Sequence, residues 1–233
     1  MNFFDAHTHV STISPKILNI SLVSTDENCW ERLLLEQSFP NKIIFLGIHP
    51  WYVEDAVLGW ENRLEDFLIN NSNVGVGECG LDKKNGIDFS KQRQLFEIQV
   101  KLACKYNRLL SIHSVHADGS VLEILERIRS KGVIHSFSGS LESAYRYIKV
   151  GFKISFSPTI INKNRKKIRA VIKALPIESM VIETDFTNCI GGNKKTASNT
   201  MVDLLQEIAT IRGENFDDIA NIIYKNSIDF FLK

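Results

Sequence analysis

The sequence predicts an α/β protein, a (β/α)8 barrel of the TIM type with its chemistry at the C-terminal ends of the strands. Two observations predict it. Eight short apolar runs recur along the 233 residues with helical stretches between them. Acidic and imidazole side chains gather at the ends of those runs. Alternating strands and helices imply a parallel sheet with right-handed crossovers, and eight such units favour a closed barrel over an open sheet.

The strands are read at Asn2–Asp5, Ile17–Val23, Lys42–Ile48, Val74–Glu78, Leu109–His113, Val133–Phe137, Phe152–Phe156 and Met180–Asp185. Each has the length of a buried strand and none shows long polar alternation. The first helix spans residues 27–38, rich in Leu and Glu after a cap at Thr25 or Asp26. Trp60–Asn70 follows. Ser90–Tyr106 then sets Leu95, Ile98, Leu102, Ala103 and Tyr106 on one stripe, the spacing of a core-facing helix. Ser120–Arg129, Leu141–Lys149 and Lys163–Leu175 precede the last three strands, and Ser198–Arg212 and Phe216–Phe231 close the chain. Asn188–Ser198, with Gly191-Gly192 and Lys194-Lys195, reads as a mobile loop.

No linker or composition shift divides the chain, so residues 1–233 are expected to form a single domain. A net charge of +1 provides no global basic field, and any nucleic-acid contact must use a local patch. Cys29, Cys79, Cys104 and Cys189 lack paired spacing and read as reduced thiols. No apolar run approaches the ~18–20 residues of a membrane span, and the start lacks a signal-peptide core. A cytoplasmic protein without membrane contact is expected.

The run Asp5-Ala6-His7-Thr8-His9 follows the apolar Phe3-Phe4. Alternation on a strand would project Asp5, His7 and His9 to one side, with the imidazoles spaced to share a metal and Asp5 orienting them. Glu78 ends the fourth strand, His113 the fifth and Asp185 the eighth, while His135 lies in the sixth and His49 follows the third. Buried acids and imidazoles in apolar strands are costly unless paired or metal-bound. Four imidazoles and two carboxylates exceed one tetrahedral site but suffice for two ions sharing a bridge. The mixed N/O set suits Zn, Mn or Mg, and imidazole favours the first two.

Taken in order, these residues resemble the TatD family of metal-dependent deoxyribonucleases, an amidohydrolase-like branch of barrels. The matching motifs are Asp5-Ala-His-Thr-His9, Gly47-Ile-His-Pro50, Gly77-Glu-Cys-Gly-Leu-Asp82, Ile112-His113, His135-Ser-Phe-Ser-Gly139 and Glu183-Thr-Asp185, with support from Gln94–Gln99 and Asn226–Phe231. The resemblance implies a two-metal hydrolase of DNA phosphodiesters, commonly a 3′-to-5′ exonuclease, acting through metal-activated water. It also implies that His7, His9 and Asp185 hold the first metal, that Glu78 bridges, and that His113 and His135 hold the second. Asp185 would accept the water proton. Glu183 would lie behind the ligands.

The chain also departs from the family pattern. An arginine common two residues after the fifth-strand histidine is replaced by Val115, and His116 is a candidate to take over its phosphate contact. Lys83-Lys84 stand where aromatic residues usually follow Asp82, and Phe186–Gly192 replaces a proline-containing segment. Further candidates for substrate contact are His49, Trp51 as a stacking surface, Lys83, and Lys163 and Arg165 in a basic run with Lys166, Lys167 and Arg169. Lys194-Lys195 would extend that run. The expected partner is nucleic acid, DNA with RNA left open. A barrel hydrolase of another ester or phosphoester remains an alternative, as does a TatD-like subunit with a structural metal site.

Overall fold

The computed structural model describes residues 1–10, 16–36, 41–187 and 196–233. Eight parallel strands run in sequence order: β1 (Phe3–Thr8), β2 (Ile17–Val23), β3 (Lys42–Leu46), β4 (Gly75–Asp82), β5 (Leu109–Val115), β6 (Lys131–Ile134), β7 (Phe152–Phe156) and β8 (Met180–Ile182). The helices are α1 (Trp30–Glu36), α2 (Trp60–Asn70), α3 (Phe89–Lys105), α4 (Asp118–Arg127), α5 (Leu141–Lys149), α6 (Lys166–Ala174), α7 (Ala197–Arg212) and α8 (Phe216–Phe231). This is the expected TIM-type barrel, nearly closed.

Closure between β8 and β1 is made by individual bonds. Asp185 N–H donates to the His7 carbonyl at 3.0 Å and His9 N–H to the Phe186 carbonyl at 2.9 Å. Below them the Asp5 carboxylate accepts from both the Thr184 N–H and the Thr184 hydroxyl.

Two apolar layers surround the strands. The larger packs helices onto the outside of the sheet, with Leu22, Leu46, Leu110, Ile112 and Ile154 against Phe96, Val121 and Leu204. The smaller comprises Phe4, Val23, Phe45, Val133 and Val181 together with Phe231 from α8. Phe231 stacks on Phe4 at 4.9 Å and meets Phe45 edge-on. This apolar plug leaves the opposite, C-terminal end of the strands for polar groups.

Several element boundaries differ from expectation, and each difference moves a site residue. β4 continues to Asp82, so Glu78 lies inside a strand. β6 and β8 stop at Ile134 and Ile182, leaving His135, Glu183 and Asp185 beyond them. A 3-10 turn at Glu27–Cys29, capped by Asp26, precedes α1, and the expected end of that helix lies outside the described residues. Lys163 and Arg165 precede α6 instead of starting it. The pairing of β1 with β2 shifts register between Phe3 and Phe4 and again between Asp5 and Thr8. The Asp5 carboxylate turns to Thr184 and to the His7 backbone N–H, and not to the imidazoles of His7 and His9.

Candidate metal centre

Glu78 is the hub of the polar cluster, at 2% exposure. Its Oε2 lies 3.3 Å from His7 Nε2 and 3.4 Å from His9 Nε2. Its Oε1 lies 2.8 Å from His113 Nδ1, 3.3 Å from His49 Nε2 and 3.8 Å from His135 Nε2. The strand is held there by Ser24, whose carbonyl accepts the Glu78 N–H and whose hydroxyl donates toward the carbonyls of Gly47 and Gly77. Burial opposes ionisation of Glu78, but the field of His49, His135 and His7 and the His113 hydrogen bond hold its pKa well below the ordinary value.

Asp185 enters from the far side, 3.8 Å from His9 Nε2 and 3.9 Å from His135 Nε2. Its backbone is left-handed, with φ 52°, as is that of Ser136 at φ 42°. Non-glycine residues rarely occupy this region, and those that do cluster at functional sites. The Asp185 N–H bond to His7 fixes the turn.

Four of the imidazoles are oriented by the nitrogen turned away from Glu78. His9 Nδ1 faces the Val23 carbonyl at 3.0 Å, so it must donate and leave the Nε2 lone pair pointing inward. His7 Nδ1 meets Ser111 Oγ at 2.9 Å and His135 Nδ1 meets Glu183 Oε1 at 2.7 Å. Glu183 is fully buried and also accepts from Ser155 Oγ and the Ser136 N–H. His49 is the opposite case. Its Nδ1 accepts the Trp51 N–H at 3.1 Å, so the neutral ring carries its proton on Nε2 and presents a donor to the site.

These groups fit a divalent cation. His7 Nε2 and His9 Nε2 face one another at 3.2 Å, a separation that needs a proton or a cation between two lone pairs. Burial works against a charged His135, yet Glu183, Asp185 and Glu78 raise its pKa to about 10. The excess of carboxylates collects positive charge. Donor atoms fall into three sets, each within 4.8 Å: His7, His9 and Asp185; His7, Glu78 and His135; and His49, Glu78 and His113. His113 and His135, expected together on one ion, both face Glu78 but belong to different sets.

Other expected residues are placed as follows. Asp5 is buried and turned to Thr184, not to either imidazole, and burial pushes its pKa up to about 7 against the Thr184 hydrogen bonds. Trp51 is half-exposed at the mouth, edge-on to His49 at 5.1 Å. Lys83 packs over the Phe89 ring. His116 lies in an exposed left-handed turn without a hydrogen bond to the site. Lys163 is exposed and Arg165 partly buried before α6. Lys194-Lys195 lie outside the described residues.

Sequence reasoning missed Ser24, Ser111, Gln99 and Asp82. Gln99, already within a motif stretch, braces the end of β3 through the Ile48 N–H and carbonyl. A cavity of about 790 Å³ opens at the opposite end of the barrel, but its Lys42 is paired with Glu36 and its Arg108 with backbone carbonyls. The chemistry belongs to the C-terminal end. Among the described residues no helix is long and apolar enough to cross a membrane.

Comparison with known proteins finds relatives that span nearly the whole barrel. A family profile described as TatD related DNase matches residues 4–232. A Haemophilus influenzae protein named as an uncharacterised metal-dependent hydrolase is 27% identical, covering 99% of this chain and all of its own length. The crystal structure of YjjV, a TatD homologue from Escherichia coli, superposes with a TM-score of 0.87 at 27% identity, covering 99% of this chain and 98% of that one. A Pantoea ananatis protein named 3′-5′ ssDNA/RNA exonuclease TatD is 24% identical, covering 79% of this chain and 76% of its own.

Proposed function

Because the chain belongs to the family of TatD-related DNases and is a metal-dependent hydrolase, we propose that it cleaves phosphodiester bonds in nucleic acid, as a 3′-5′ exonuclease acting on DNA. The observation that carries this reading is the convergence of His7, His9, His113 and His135 on the single carboxylate of Glu78, with Asp185 facing His9 and His135 from the other side. The wording of the Pantoea relative supports the polymer and its polarity and keeps RNA as a second substrate.

In this reading His7, His9 and Asp185 would hold one divalent ion, Zn, Mn or Mg, and His113 and His135 a second, with Glu78 within reach of both sets of imidazoles. When bound, the ions lower the pKa of water and neutralise phosphate oxygens. The chain supplies the rest. Asp185, with its side chain 36% exposed, takes the proton of the attacking water and returns it to the leaving oxygen. His49 donates from Nε2 to a phosphate oxygen as charge builds. Its acceptor bond to Trp51 keeps it from offering a lone pair to a metal. Glu183 and Ser111 hold the His135 and His7 rings in place. Trp51 offers a stacking face to a terminal base, and Lys163 and Arg165 lie in the patch that meets phosphates.

The test is cleavage of end-labelled single- and double-stranded DNA and RNA by metal-replete protein in Mg²⁺, Mn²⁺ and Zn²⁺. Shortening from the 3′ end is expected. Absence of cleavage in all three, with metal content verified by elemental analysis, would sink the nuclease reading. Asp185→Asn is expected to lower kcat by about 10²–10⁴-fold with the fold intact.

A further inference from the structure

We infer that Asp82 is a positioning residue that ties the His113 imidazole to the Trp51 indole, an inference resting on the reading of His113 as a metal ligand. On β4, Glu78, Gly80 and Asp82 are spaced two residues apart, and Gly80 pairs with His113 on β5. A side chain at Gly80 would meet the His113 carbonyl at 2.0 Å, so the two backbones approach where no other residue fits. The His113 ring is thereby clamped between two carboxylates. Its Nδ1 is 2.8 Å from Glu78 Oε1 and its Nε2 is 3.5 Å from Asp82 Oδ2.

His113 Nε2 is buried and has no hydrogen-bond partner in the ordinary range, which leaves Asp82 as the acceptor facing it. Hydrogen bonds at active sites often run long before ligands bind. In the hydrogen bond to Glu78 the Nδ1 carries a proton; a cation taking its place would leave the ring its Nε2 proton, directed at Asp82.

The same Asp82 oxygen accepts the Trp51 Nε1–H at 2.7 Å, while the other oxygen accepts the Lys84 N–H at 2.8 Å. The Asp82 N–H is fixed by Gln92 of α3, also at 2.8 Å. Asp82 is only 4% exposed, whereas Trp51 is 51% exposed. An indole at the mouth is therefore held rigidly by a buried acid that also faces a ligand imidazole. Asp82 sets the offset between the aromatic face and the metal centre.

The experiment compares wild type with Asp82→Ala, Asp82→Asn and Trp51→Phe in three readouts: Mn²⁺ titration of metal-free protein, acrylamide quenching of tryptophan fluorescence, and the melting temperature without metal. Trp30 and Trp60 are buried, so quenching reports Trp51. Asp82→Ala is expected to weaken at least one Mn²⁺ binding step by about 10–100-fold and to increase quenching. Asp82→Asn, which keeps one acceptor oxygen, falls between Asp82→Ala and wild type. Trp51→Phe keeps Mn²⁺ affinity within about threefold of wild type, well short of the loss expected for an outer-shell partner. Unchanged Mn²⁺ affinity or unchanged quenching in Asp82→Ala overturns the inference. So does a collapsed melting temperature in Asp82→Ala when Asp82→Asn matches wild type in every readout. A wild type that binds no Mn²⁺ instead overturns the functional reading, and this inference falls with it.

Discussion

The Asp5 carboxylate reaches across the barrel seam to Thr184, accepting its backbone N–H at 2.9 Å and its hydroxyl at 2.5 Å. β8 ends at Ile182, so the ladder stops before this point and a side chain replaces the missing carbonyl. Asp5→Ala leaves a buried N–H without an acceptor, a loss of about 1–3 kcal/mol. Asp5→Asn keeps an oxygen for the N–H and offers an amide donor to the hydroxyl, so it loses less. Urea denaturation of metal-free protein should rank wild type, Asn and Ala in that order of decreasing stability. Equal stability of the Ala and Asn variants would show that the seam does not depend on this bond.

Gly80 makes a second, sharper prediction. Its backbone has φ +146°, and an added Cβ lies 2.0 Å from the His113 carbonyl oxygen. Backbone cannot yield as the end of a flexible side chain can. Gly80→Ala is expected to cost at least about 3 kcal/mol and to displace His113, lowering metal content. Gly86, with φ +79° and nothing within 4 Å, serves as control, since Gly86→Ala costs only the local strain of about 1–2 kcal/mol. Similar urea midpoints for the two variants would contradict the close approach of β4 and β5.

Much of this architecture was legible in the sequence because the barrel repeats a local pattern. Apolar runs and helical stripes are encoded over three to seventeen neighbouring residues, and the eight strands lie close to where that pattern puts them. The polar residues at strand ends were legible for the same reason. What escaped was set by distant parts of the chain. Alternation points Asp5 at the imidazoles, whereas its carboxylate accepts from Thr184, 179 residues away, and from the His7 backbone N–H. Ser24 looks like an ordinary loop residue, and Asp82, although it closes a matched motif, shows no partner in the sequence until the fold brings them to Glu78 and His113. The strand carrying Glu78 continues to Asp82 because Gly80 permits pairing with β5, a fact of packing that composition does not reveal.

Glu97 on α3 provides a pH test away from the site. Hydrogen bonds from Arg127 of α4 and from Lys101, each near 2.8 Å, bring its pKa from 4.5 to about 2. The folded value is depressed, so this contribution is present above pH 4.5 and is lost as pH falls toward 2. The pair is solvent-exposed, and screening limits it to under about 1 kcal/mol. The stability gap between wild type and Glu97→Gln should be constant from pH 7 to 5 and shrink by pH 3. It should also narrow in high salt. A gap that does not change with pH between 6 and 3 would rule out the ion pair as its source.

If the chain acts on nucleic acid as proposed, the basic stretch before and within α6 offers a test of polymer binding apart from chemistry at the candidate metal centre. Lys163, Lys166 and Lys167 are exposed, and the first turn of α6 holds no acidic residue. They follow β7 and its 3-10 turn at Pro158–Ile161, on the end of the barrel where the candidate site lies. A phosphate backbone leaving that site would meet them. Counterion release makes such contacts visible in the salt dependence of binding, by about 0.7 in the slope for each phosphate contact to a single strand. Replacing the three lysines by Gln is expected to lower the slope by about 2 and to weaken binding equally for oligonucleotides of different sequence. Fluorescence anisotropy with labelled single strands in Ca²⁺, across 50–300 mM salt, measures both. A slope equal to that of wild type would assign these lysines to a solvated helix face, and the polymer would then have to leave the site on another side of the barrel.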